Sequence, residues 1–133
     1  MLTTLVVQHN KETVMAYVDG FVLPLPTKNL EAYKKMANTG GAIWREHGAL
    51  EYRECLGDDV KPGTHTSFPQ AVKLEEGETV VFAWIVYASR AQRDEINEKV
   101  MKDPRLAEWM KPEALPFDGK RMFWGGFEMI VDL

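Results

Sequence analysis

The stretch Thr79-Val80-Val81-Phe82-Ala83-Trp84-Ile85-Val86-Tyr87 constrains the fold of this chain more than any other. Its β-branched and aromatic residues predict a strand. A strand with one wet face alternates apolar and polar side chains, and this one is apolar on both faces. Val81, Ala83 and Ile85 suit a helix-covered side, so Phe82, Trp84 and Val86 need separate cover. Burying three such side chains contributes roughly 1.5–3 kcal/mol each. The pattern leaves no helix for that face, which makes a second copy of the chain the simplest cover.

The other elements fall around that strand. Residues 16–25 read as a strand with Tyr17, Asp19, Phe21 and Leu23 on one face, ended by Pro24 and Pro26. Thr27 is the expected N-cap of a helix to about residue 46, with Leu30, Tyr33, Ala37, Gly41 and Trp44 as its apolar stripe. Within it, Gly40-Gly41 predicts a kink or a close packing contact. Residues 50–56 read as a second strand, and 57–70 as a loop around the Pro62-Gly63 turn. Ser89 and Gln92 form a capping box that opens a second helix to about residue 101. Asp103-Pro104 starts a short helix through 110, and Asp118-Gly119 turns into a last strand over 121–131.

Strand-helix-strand, repeated, predicts an α+β chain of ferredoxin-like βαββαβ order. Its four-stranded antiparallel sheet carries the helices on one face. Residues 15–133 are expected to form that single domain, with 1–14 as a loosely attached extension.

Composition narrows the partners. The net charge is −4, with Lys and Arg mixed among Asp and Glu. Displacing counterions from nucleic acid needs a concentrated basic surface, so no nucleic-acid partner is expected. No apolar run approaches the roughly 18 residues of a membrane span. The single cysteine, Cys55, has no partner for an internal disulfide, which suits a reducing, cytoplasmic setting. His9, His47 and His65 lack metal-ligand spacing, and Gly125-Gly126 has neither the turn nor the following Lys of a phosphate loop. No metal or cofactor is expected.

Asp19 is the leading candidate for catalysis. It shares a face with Tyr17 and Phe21, on a side expected to look toward the partner sheet. Desolvation among aromatics makes a carboxylate a base at neutral pH. The structural alternative is an Asp paired with Arg53 or Arg121 to fix the dimer. Phe82 and Trp84 are expected as an apolar wall opposite Asp19. If Leu50, Tyr52 and Leu56 pack under the helices, Arg53 and Cys55 point into the same cavity. Arg53 could then hold a carboxylate, while Cys55 has no neighbouring His to activate it. Lys120 and Arg121 offer a secondary anion-binding possibility.

Several segments carry a resemblance: Tyr17-Val18-Asp19-Gly20-Phe21-Val22, Val80 to Ile85, Asp103-Pro104-Arg105, Pro116 to Met122, and Gly125-Gly126-Phe127-Glu128. Together they resemble the YbaA-like family of uncharacterised small bacterial proteins. The likeness covers residues 16–132, with a divergent loop over 61–68. It implies a ferredoxin-like dimer in which two sheets face each other as an α/β barrel. Superfamily relatives include cofactor-free monooxygenases, lactone isomerases, haem enzymes and binding proteins, so the likeness implies no single activity. The expectation is a homodimer that binds a small organic molecule, as an isomerase or cofactor-free oxygenase with Asp19 as base. The alternative is a non-catalytic binding or regulatory protein whose barrel only forms the dimer interface.

Overall fold

The computed structural model describes residues 14–133, so all but the last residue of the expected extension, and His9 with it, lies outside the described residues. The elements are β1 (Tyr17–Pro26), α1 (Leu30–Glu46), β2 (Glu51–Leu56), α2 (Phe68–Ala71), β3 (Glu78–Tyr87), α3 (Arg90–Met101), α4 (Pro104–Ala107) and β4 (Phe123–Glu128). The sheet order is β2-β3-β1-β4, antiparallel at every step. This is the ferredoxin-like arrangement, with the two most apolar strands in the middle.

Register decides which side chains meet. Tyr17 pairs with Tyr87, Asp19 with Ile85, Phe21 with Ala83 and Leu23 with Val81. These residues share the helix-covered face, where Ile43 of α1 and Ile96 and Val100 of α3 complete the main core. Helix α1 runs unbroken through Gly40-Gly41. Gly41 makes a close packing contact, with a Cβ there falling 2.7 Å from the Tyr52 ring. Ser89 caps α3 by accepting from the Gln92 amide at 3.1 Å, and Asp103 caps α4 by accepting from the Arg105 amide at 3.0 Å.

Two local expectations need correction. Pro26 ends β1 as expected, but Pro24 does not interrupt it. Pairing with β4 stops at Val22, so β1 beyond it has a free edge that tolerates proline. The loop over 57–70 also holds a helix, α2, capped by Ser67 accepting from the Gln70 amide at 3.2 Å. The following Val72, with Leu74, packs against Val22 and Val80 on the far face of the sheet. Part of the cover assigned to a second copy thus comes from this chain. The rest of that face stays open: Phe82 is 44%, Phe123 45% and Phe127 62% exposed.

Candidate functional site

Strand alternation turns Tyr52 and Glu54 of β2 toward α1, and Arg53 and Cys55 toward the open face. Tyr33, one turn into α1, hangs over the same spot. Its hydroxyl donates to Oε1 of Glu54, and the Tyr52 hydroxyl donates to Oε2 at 2.7 Å. Burial, reinforced by the Glu54 charge, pushes both phenols well above their ordinary range. They remain protonated donors at any biological pH, and the carboxylate is held from both sides. A carboxylate has about four lone-pair sites, so two remain for a further donor.

Two recesses meet at this triad. The inner one, about 140 Å³, lies between α1 and the sheet, walled by Phe21, Leu23, Trp44, Phe117 and Met122. The outer one, about 700 Å³, runs between α1 and the free edge of β2, past Lys34, Ala37, Gly41 and Arg45. Tyr33, Tyr52 and Glu54 line both, and among the described residues Glu54 is the only carboxylate lining either. Apolar walls around one fixed polar group are the usual make-up of a small-ligand site.

Asp19 lies elsewhere. The expectation that it faces Phe82 and Trp84 across an open cavity is corrected by register. Asp19 is on the helix-covered face, 1% exposed, and lines neither recess. Its cation is Arg93 of α3, not Arg53 or Arg121, with Nε 3.4 Å from Oδ1. That is a charge contact without hydrogen-bond geometry. Asn97 donates to Oδ2 at 3.4 Å and accepts from Trp44 Nε1 at 2.9 Å and the Tyr87 hydroxyl at 3.2 Å. Asp19 is thereby linked, through Asn97, to Trp44 in the wall of the inner recess. Arg93 also lies over the Tyr17 ring at 4.9 Å, in space left by Gly126, where a Cβ would sit 2.6 Å from the Tyr17 hydroxyl oxygen.

The remaining candidates divide between two places. Arg53 pairs in register with Trp84, and Cys55 with Phe82, so these four share the open face, while Cys55 also borders the outer recess and Trp84 the inner one. The Phe82 and Trp84 rings are 5.5 Å apart, Arg53 has Glu51 at 3.8 Å, and Cys55 is an exposed free thiol. Arg121 is consumed locally. It pairs bidentately with Glu78 at 2.7 Å and donates to Asp118 and the Lys73 carbonyl at 3.0 Å, clasping the turn before β4 to the start of β3.

Glu54 is not among the site residues expected from sequence, although an acid on the same strand face as Tyr52 is a usable signal. Arg93 gave no such signal, because α3 reads as a polar surface helix. Among the described residues, no cluster of three or more His, Cys, Asp or Glu could hold a metal ion. Likewise, no helix there is long and apolar enough to cross a membrane.

Comparison with known proteins adds kinship without an activity. The family described as Protein of unknown function (DUF1428) matches residues 16–119. The uncharacterized protein YbaA of Escherichia coli K12 is 50% identical over 118 residues, spanning 89% of this chain and 99% of that protein. YbaA of Shigella flexneri matches to the same extent. A Burkholderia cenocepacia crystal structure, provisionally named an amidohydrolase/peptidase, aligns over 91% of this chain but only 31% of its own. Its identity is 8% and its TM-score 0.31, too slight a likeness to bear on fold or activity here.

Proposed function

We propose that this chain, which belongs to the DUF1428 family, binds a small organic molecule in the inner recess, with Glu54 as the base that takes its proton. The observation that carries this reading is the position of Glu54, between two buried phenols at the junction of two recesses. A dry cavity of about 150 Å³ accommodates benzene, so a 140 Å³ recess suits one six-membered ring. A hydroxyl or acidic C–H on that ring then meets the carboxylate. Tyr33 and Tyr52 keep the carboxylate aimed, which is the fixed geometry that general base catalysis needs.

Proton loss from carbon leaves a carbanion, and Glu54 becomes the neutral acid. Returning the proton to a second carbon is isomerisation. Transfer of an electron from the carbanion to dioxygen opens the cofactor-free oxygenase route. Amide-resolved NMR with phenol as probe tests the binding step. Shifts concentrated on Met36, Trp44, Tyr52 and Met122, sparing Phe127, are expected. Absence of shifts at millimolar phenol contradicts the reading and favours a protein whose barrel only forms an interface.

The open face supports a homodimer. It carries Phe82, Phe123 and Phe127 together with both signs of charge, Glu51 and Arg53. An isologous contact sets each patch against itself, and a patch bearing one acid and one base is complementary to its own copy.

A further inference from the structure

We infer that the ligand carries an anionic arm, a carboxylate or a group of like charge. The arm lies in the outer groove along α1 and ends at Lys34, with Arg45 further along. This rests on the reading of the inner recess given above, and names the class of molecule that site takes. The two recesses join at Tyr33, Tyr52 and Glu54, so a ring seated in the inner one can extend into the outer groove. A bare ring leaves that 700 Å³ groove unused.

The groove has a consistent sign. Apart from Glu54, already held by two phenols, the charged side chains lining it are Lys34 and Arg45. That sign stands out in a chain whose net charge is −4. The Arg45 Nη1 donates to the Ala49 and Leu50 carbonyls, which fixes the guanidinium without cancelling its charge. Lys34 has only a 3.7 Å contact to Glu31, both side chains being exposed. Lys34, Asn38, Ala42 and Arg45 fall on successive turns of α1 and form one seam. At 1.5 Å per residue the seam is about 16 Å long. Lys34 lines the same groove as Tyr33, Tyr52 and Glu54, so an arm lying in it runs from the triad toward the ammonium. Ala37 and Gly41 keep the groove floor low beneath such an arm.

The matching class is a hydroxyaryl alkanoic acid, with the hydroxyl at Glu54 and the acid at Lys34. Calorimetry on the full chain with 3-(2-hydroxyphenyl)propionate, whose hydroxyl and side chain leave adjacent ring positions, its methyl ester and phenol tests this. The acid is expected to bind about fivefold more tightly than the ester at low ionic strength, as exposed ion pairs allow. Added salt should narrow that gap, and Lys34→Met should bring the acid-to-ester ratio close to one. Equal affinities for acid and ester in the parent, with phenol still bound, overturn the anionic arm and leave the inner recess standing. A gap that survives Lys34→Met overturns the placement of the arm. Failure of phenol itself to bind overturns the inner recess instead.

Discussion

Gly41 of α1 and Tyr52 of β2 are packed with no room between them: a Cβ at residue 41 would fall 2.7 Å from ring Cδ1 and 2.8 Å from Cε1 of Tyr52. The absent side chain lets β2 tuck under α1, and so places the Tyr52 hydroxyl at Glu54. The Gly41→Ala variant should lose about 1–3 kcal/mol, the usual cost of overpacking. It should also bind phenol more weakly than the parent, because Tyr52 must move. Thermal melts paired with phenol titration check both. An unchanged melt would mean that Tyr52 yields without cost and the packing argument fails.

The buried pair of Asp19 and Arg93 is expected to be structural. Asp19→Asn removes the buried carboxylate facing an Arg93 side chain that is 17% exposed. Its loss leaves a largely buried guanidinium with the Tyr17 hydroxyl at 3.2 Å and, on the solvent side, Asp94 at 3.2 Å. Breaking one half of a buried pair costs about 3 kcal/mol or more. Because Asn97 ties Asp19 to Trp44, the same variant should loosen the wall of the inner recess. A denaturant midpoint equal to that of the parent would contradict this.

Acid sensitivity should trace in part to Glu78. The Arg121 hydrogen bonds hold its carboxyl below the ordinary value of 4.5. A depressed folded value means that the unfolded chain binds the proton more readily. The stability contributed by the pair is therefore full above pH 4.5 and fades as pH falls below it. Chemical denaturation across that range should show Glu78→Gln less stable at neutral pH, with a shallower acid limb. Parallel limbs for parent and variant would remove the pair from the account.

The fold was legible because β3 is apolar on both faces and the turn and cap residues punctuate the rest. The candidate site was harder to see. Alternation along β1 and β2 shows which residues share a face, but not which face the helices cover. Asp19 and Phe82 were set on one side by that ambiguity, and only the pairing of Asp19 with Ile85 separates them. Contacts between distant elements had no local signature. Arg93 reaches Asp19 across 74 positions, and Tyr33 reaches Glu54 across 21. Helix α2 was missed because its Ser67 cap sits in a stretch dominated by turn residues.

Closure of the open face by a second copy predicts a concentration-dependent mass. Sedimentation equilibrium should show dimers at micromolar chain concentration, and Phe82→Glu should shift the population to monomer while preserving the fold. A parent that stays monomeric throughout that range contradicts the homodimer.

Glu54 is the polar contact on which the proposed ring-sized ligand site depends. That dependence is tested most directly by comparing phenol with toluene, which has the same ring but no hydroxyl. Titration calorimetry should find phenol preferred by the parent. Glu54→Gln should lower phenol affinity about tenfold, the value of a hydrogen bond to a charged group. Toluene affinity should stay unchanged, because the apolar walls remain. Equal losses for both compounds, or no preference for phenol in the parent, would contradict the claim.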